Sequence, residues 1–397
     1  MARRLAAALV LSFTAQALPS ANIYARQNSS ECQTQGSYAD VNNRKLPDPF
    51  TFADGTPVLS RADFTCRQAE LSTMFQQFEL GTYPGPPDSV DASMDGGNMD
   101  VQVTIGGQSV TISVTISVPD TAPGPAIINL GRTSSLPIPS NVGTISFDND
   151  AFAAQLNPGS RGQGDFYTLF GSDHSAGAFT AWAWGVERVI DGLEQLGSET
   201  TGIDTTKLGV TGCSRNGRGA LVIGALVDRI ALTLPQESGA GGAASWRISD
   251  SEAAKGSSRI KPAVEIAAEN VWFSTNFDSY ASKVNTMPVD HHMLAGLVAP
   301  RGLYVIENDL DWLGPVSTTG SMGAARMIYQ GLGLPNNMGF SLVGSHSHCQ
   351  LPSSQQSELG AYINAFLLSG SEPGEVNHSR AKVNMADWVD WRVPDLS

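Results

Sequence analysis

The segment from Leu208 to Val227 constrains this chain more than any other. Leu208 and Val210 lead into Gly212-Cys-Ser-Arg-Asn-Gly217, and the run from Ala220 to Val227 is almost wholly apolar. That order predicts a strand, a sharp turn and a buried helix. A serine on such a corner is lifted clear of the sheet, with the helix N-terminus and its amides aimed at whatever bonds to the hydroxyl. The common G-x-S-x-G pattern places a glycine two residues to either side of the serine. Gly212 fills the first position, but Asn216 stands at the second and Gly217 comes one residue late. A phosphate-binding loop is a poor alternative, because that pattern ends in Lys and then Ser or Thr, whereas Gly217 is followed by Arg218 and Gly219. An inert strand-to-helix turn is the other alternative, and the rest of the chain decides against it.

Strands and helices alternate around this corner. Arg61 to Phe78 has helical spacing, and Tyr83-Pro-Gly-Pro-Pro87 breaks any regular element. Val101 to Val118 alternates on both sides of Gly106-Gly107, a hairpin signal. Strands are predicted at Ala126–Leu130, Val142–Phe147, Ile203–Thr211, Ile230–Leu234, Arg301–Ile306 and Met338–Val343, with helices at Phe179–Leu196 and Ser354–Leu368. Alternating strands and helices imply a parallel sheet in an α/β fold.

With 397 residues, 41% hydrophobic and 16% charged, the chain can bury a large core. The formal charge is −14 and no basic run exceeds Arg3-Arg4, which argues against nucleic acid and anionic membranes as partners. Arg3-Arg4 precedes an apolar stretch from Leu5 to Ala17 that ends in Ala15-x-Ala17. This reads as a secretory signal peptide over 1–17, too short to span a bilayer, with an N-terminal extension over 18–46 and one catalytic domain over 47–397. Its removal would take the charge from −14 to −16 by deleting two arginines. In a eukaryotic secretory route Asn28 and Asn377 are glycosylation acceptors. The four cysteines then imply two disulfides among three connectivities, the economical one pairing Cys32 with Cys66 and Cys213 with Cys349.

Acyl transfer by a serine needs a base, an acid to orient that base, and donors for the oxyanion. Ser214, Glu237 and a histidine near 348 follow the order Ser, acid, His, each in a loop after a strand. Asp309 and Asp311 compete with Glu237 from the loop after the next strand, and His346 competes with His348. A Cys213–Cys349 bridge would hold Ser214 and the residue before Cys349 on adjoining loops, which favours His348. Asp290-His291-His292 lacks metal-ligand spacing and reads as a helix start capped by Asp290, and His174 reads as structural. No metal and no cofactor is expected.

Gly212-Cys-Ser-Arg-Asn-Gly217, Pro235-Gln-Glu-Ser-Gly-Ala-Gly-Gly242, Asp311-Trp-Leu-Gly-Pro315 and His346-Ser-His-Cys349 together resemble the glucuronoyl esterases of carbohydrate esterase family 15, in particular their secreted fungal members. The resemblance runs from about Leu46 to Leu368. It implies an α/β-hydrolase fold: a three-layer αβα sandwich with a mainly parallel central sheet and an N-terminal antiparallel hairpin. It also implies cofactor-free cleavage of the ester between 4-O-methyl-glucuronic acid of glucuronoxylan and lignin alcohols, by a secreted enzyme, and a monomer is expected. Ser214 is then the nucleophile, Glu237 the acid, His348 the base and Arg215 the oxyanion donor. Arg218, Lys261, Glu269 and Trp312 fall at sugar-binding positions. Arg218 replaces a lysine usual in the family, and Lys261 replaces a glutamine. Readings that keep less of the resemblance are an acetylxylan or feruloyl esterase, or a non-catalytic carbohydrate-binding protein on the same scaffold.

Overall fold

The computed structural model describes Cys32 and residues 34–131, 134–256 and 259–397. Residues 1–17, read above as a signal peptide, together with Asn28 and the first part of the expected N-terminal extension, lie outside the described residues. From Tyr38 onward the extension is tied to the body: the Val41 and Leu46 amides donate to Thr286 O and Trp388 O, at 2.8 and 2.9 Å. Tyr38 and Leu46 are buried among core residues, and Cys32 is bonded to Cys66.

Ten strands form a single sheet in the order β1-β2-β3-β5-β4-β6-β7-β8-β9-β10. The strands are β1 Ser89–Asp95, β2 Asn98–Ile105, β3 Gln108–Ser117, β4 Gly124–Leu130, β5 Gly143–Phe147, β6 Ile203–Cys213, β7 Ile230–Gln236, β8 Gly302–Glu307, β9 Met338–Leu342 and β10 Asn377–His378. Pairing is antiparallel from β1 to β3 and between β3 and β5, and parallel from β5 through β10. The hairpin predicted about Gly106-Gly107 is β2–β3, and β1 extends it to a three-stranded antiparallel meander through a second glycine turn at Gly96-Gly97. Strand β1 escapes a sequence reading because Ser89, Asp91, Ser93 and Asp95 face water and its other face is only partly covered.

The burial patterns account for the pairing. In β3 buried and exposed residues alternate, as in a sheet with one wet face, whereas β4 and β8 are buried at every position. Their side chains divide between two cores: Ile128, Leu303 and Val305 face the larger one, and Ile127, Tyr304 and Ile306 face the smaller. The smaller core is closed by the helix Ser353–Phe366 through Leu359, Tyr362 and Ile363. On the larger side lie helices Arg61–Phe75, Ala178–Leu196, Arg215–Leu226, His291–Val298 and Pro315–Gly331. Helices on both faces make the three-layer sandwich. The helix Pro315–Gly331 carries no clear sequence signal, since its buried face is built largely of Ser317, Thr318, Gly320, Ser321, Ala324 and Ala325. Among the described residues, no helix is long and apolar enough to cross a membrane.

Candidate active site

The corner at Ser214 forms as the local pattern demands. Strand β6 ends at Cys213, the helix Arg215–Leu226 begins at once, and Ser214 between them holds φ 61° and ψ −125°. Such a conformation costs roughly 1–3 kcal/mol for a residue with a side chain and persists only where neighbours fix it. They do so here: the Ser214 amide donates to Gln236 O at 2.9 Å, and Ser214 O accepts from the Arg218 amide at 3.0 Å. A Cβ on Gly212 would lie 2.5 Å from Asn216 O, and one on Gly217 would lie 2.4 Å from Gln236 O. The late glycine is thereby explained. Position 217 passes against the end of β7 and tolerates no side chain, whereas Asn216 uses its side chain to donate to Leu130 O at 3.1 Å, tying the corner to the end of β4. The first helical amides, from Arg215 on, have no partner within the helix.

Glu237 follows β7 directly. It is fully buried, holds φ 46°, and donates its amide to Ile306 O at 2.7 Å. Its Oε2 lies 2.6 Å from His348 Nδ1. The Asn308 side chain also approaches Oε2, at 3.4 Å. Of the five non-glycine residues with positive φ among the described residues, Ser214, Glu237, Ser345 and Cys349 surround this site, so the backbone strain of the molecule is concentrated here.

The two carboxylates that compete with Glu237 in sequence point elsewhere. Asp309 accepts from the Ser345 amide at 3.4 Å, and Asp311 accepts from the Arg259 amide at 2.8 Å. His346 turns Nε2 to Val343 O at 2.7 Å and sets Nδ1 3.8 Å from Glu237 Oε1. His348 is the ring bonded to Glu237. The cysteines pair as Cys32–Cys66 and Cys213–Cys349, the second bridge spanning 136 residues. A His348 ring nitrogen lies within 4.8 Å of both Sγ atoms of that bridge, which sits next to Ser214 in the chain. The three loops therefore meet at one point.

Arg215 is exposed at the start of the helix. Trp312 is partly exposed and stands edge-on to His348, ring centroids 4.8 Å apart. Arg218 is buried, a placement its charge does not suggest. Its Nε donates to Ser238 O at 3.0 Å, its guanidinium lies 4.6 Å from the Trp272 ring centre, and burial lowers its pKa to about 10 against the pull of Glu269 and Glu307. Trp272 in turn donates to the Gln155 side chain at 2.6 Å. Lys261 pairs with Glu269 at 2.7 Å. Asn377 is exposed in β10. Asn308, Trp272 and Gln155 are neighbours that sequence reasoning missed, and nothing in their local pattern marks them.

The histidines set aside in sequence are accounted for. Asp290 caps its helix by accepting from the His291 amide and also pairs with buried Arg247 at 3.1 Å. His291 Nε2 meets Glu79 at 2.7 Å, while His292 Nε2 bonds to Pro47 O at 2.8 Å, so the two rings serve different partners. His174 packs against Phe166 and Phe170.

A mainly parallel sheet, helices on both faces and a serine on the strand-to-helix corner define an enzyme of the α/β-hydrolase class. The family pattern described as "Glucuronyl esterase, fungi" matches residues 101–333. A 4-O-methyl-glucuronoyl methylesterase of Thermothelomyces thermophilus is 58% identical over 378 residues, covering 95% of this chain and 94% of the relative. One of Neurospora crassa is 58% identical over 386 residues, covering 96% of each. The chain therefore belongs to the fungal glucuronoyl esterase family and is a carboxylic ester hydrolase. The crystal structure of a glucuronoyl esterase from Sporotrichum thermophile superposes with a TM-score of 0.91 at 58% identity, covering 92% of this chain and all of that one. A serine-to-alanine mutant of the Sporotrichum enzyme was crystallised with methyl 4-O-methyl-β-D-glucopyranuronate.

Proposed function

We propose that the protein hydrolyses the ester between 4-O-methyl-D-glucuronic acid of glucuronoxylan and lignin alcohols, through an acyl-enzyme on Ser214. The observation that carries this reading is the 2.6 Å link between His348 Nδ1 and Glu237, held beside Ser214 by the Cys213–Cys349 bridge. Glu237 keeps the proton on Nδ1, which leaves Nε2 free to act as base. His348 takes the Ser214 proton as Oγ attacks the C6 carbonyl of the uronate, and gives it to the departing alcohol. Water then attacks the acyl-enzyme by the same route, releasing the uronic acid and restoring Ser214. The Arg215 amide at the helix start, with its guanidinium nearby, stabilises the oxyanion.

Trp312, Glu269, Lys261 and Arg218 line the sugar side in this reading, with Trp312 closing over the ring. The relative's complex with a methyl uronate ester supports the acyl part. A glucuronoyl ester is neutral, so the charge of −14 does not repel it. The two disulfides suit an oxidising compartment, and we place the mature enzyme outside the cell as a monomer, after loss of 1–17, with glycans at Asn28 and Asn377. The test is turnover of a benzyl glucuronate ester by the wild type and by Ser214→Ala. A wild type that prefers acetylated xylan or methyl ferulate, or a Ser214→Ala variant with unchanged turnover, refutes the proposal.

A further inference from the structure

Glu307 is a buried carboxyl to which the mechanism above gives no task. It closes β8 and is fully buried. One oxygen, Oε1, accepts three donors: the Ser238 amide at 3.0 Å, the Ser238 hydroxyl at 2.8 Å and the Gly239 amide at 3.2 Å. All three belong to the two residues that directly follow Glu237. On the other side, Ile306 O accepts the Glu237 amide at 2.7 Å, and Asn308 reaches the Glu237 carboxylate at 3.4 Å. Three consecutive residues of one strand end thus grip the Glu237 backbone, the turn after it and its carboxylate. That grip is where it is needed, because Glu237 sits at φ 46°, a conformation it would leave if released. Gly239, at φ 52°, completes the turn, and a Cβ there would lie 2.9 Å from Leu313 O.

We propose that Glu307 is a positioning residue for the reaction: its carboxyl holds the turn that aims Glu237 at His348. The inference rests on Glu237 being the acid of the triad. Glu307 does this work as a neutral acid. Charged groups face its carboxyl from two elements, Glu237 at the end of β7 and Arg218 on the helix after Ser214, while its contacts from Ser238 and Gly239 are uncharged and Gln355 donates only to its backbone carbonyl. Burial, with the Glu237 charge adding to it, pushes Glu307 up to about 8 against the hydrogen bonds from Ser238 and Gly239. Its Oε2 is buried and has no hydrogen-bond partner among the described residues, an arrangement far less costly for a neutral acid than for a carboxylate. Above that range a second buried negative charge would form against Glu237, and its repulsion would push the Glu237 carboxylate from its place beside His348.

The experiment measures kcat and KM on a benzyl glucuronate ester from pH 6 to 9.5 for the wild type, Glu307→Gln, Glu307→Leu, Ser238→Ala and Glu237→Gln. Glu307→Gln keeps the acceptor and cannot ionise, so it is expected to rescue most of the wild-type kcat at pH 7 and to lack a decline in kcat that the wild type shows near pH 8. Glu307→Leu accepts nothing, and is expected to lose ~10- to 100-fold in kcat with KM little changed, the scale of a misplaced catalytic group. Ser238→Ala removes one of the three donors and is expected to show a smaller loss of the same kind, which keeps the test decisive where Glu307→Leu fails to fold. A folded Glu307→Leu with wild-type kcat, a Ser238→Ala variant unchanged where Leu does not fold, or a Glu307→Gln profile that declines like the wild type overturns the proposal. An active Glu237→Gln variant instead removes the triad reading on which it rests, whereas an inactive one beside an unimpaired Glu307→Leu defeats the positioning role alone.

Discussion

Removing the Cys213–Cys349 bridge separates two consequences that one covalent bond combines here. The bridge closes a loop of 136 residues. The loop-closure entropy it withholds from the unfolded chain corresponds to about 5 kcal/mol at 25 °C, against about 4 kcal/mol for the 34-residue Cys32–Cys66 loop. A folded body of this size has an unfolding entropy of about 0.8 kcal/mol/K, so loss of the longer bridge is expected to lower Tm by about 6 °C. The catalytic consequence is distinct. Cys213 precedes Ser214 and Cys349 follows His348, so the bridge also sets the distance between the proposed nucleophile and base. The double variant Cys213→Ala with Cys349→Ala should therefore lose ~10- to 100-fold in kcat, the cost of about 1 Å of misplacement. Cys32→Ala with Cys66→Ala should lose nearly as much stability and keep its kcat, because that bridge joins the N-terminal extension to the helix Arg61–Phe75. Calorimetry and steady-state kinetics on both pairs are the assay. Equal kcat in wild type and the Cys213/Cys349 variant would refute the registration argument, and a Tm shift under 2 °C would refute the entropic one.

Four further perturbations test other parts of the structure. Gly217→Ala puts a methyl 2.4 Å from Gln236 O, and is expected to cost ~1–3 kcal/mol in denaturant unfolding and to lower kcat by displacing the end of β7. Gly360→Ala, with nothing within 4 Å of the new Cβ, should instead stabilise its helix by ~0.5–1 kcal/mol. Trp312→Ala removes the ring standing against His348; the pair is worth ~0.5–1.5 kcal/mol, so kcat/KM should fall ~2- to 10-fold. Burial acts to lower the His291 pKa, but the Glu79 carboxylate and its hydrogen bond, the Asp290 charge and the Gly242 carbonyl together outweigh it, so the pKa is raised. A raised histidine adds stability that is complete below its unfolded value of about 6.5 and disappears as pH rises through its folded value. Thermal unfolding followed upward from pH 6 should accordingly show a decline that His291→Gln lessens.

Local chemistry made much of this protein legible from its residues alone. The corner at Ser214 needs only a strand pattern, Gly212 and an apolar helix, all within twenty residues. The hairpin about Gly106-Gly107 and the alternation of strands with helices are equally local, and periodicity exposes them. Where a signal depends on a partner distant in the chain, it fades. Strand β1 is polar on its wet face and half-covered on the other, and the helix Pro315–Gly331 buries small residues that no hydrophobic pattern reveals.

The site divides in the same way. Residue order narrowed the acid to Glu237, Asp309 or Asp311 and the base to His346 or His348, but the bond between Glu237 and His348 joins loops 111 residues apart. Only the packing of β7, β8 and β9 side by side brings those loops together, and the bonds from Ile306 and Glu307 to Glu237 and the turn after it support a backbone conformation that its own side chain disfavours. The residue types carry the chemistry; which of them meet is decided by contacts between elements distant in the chain.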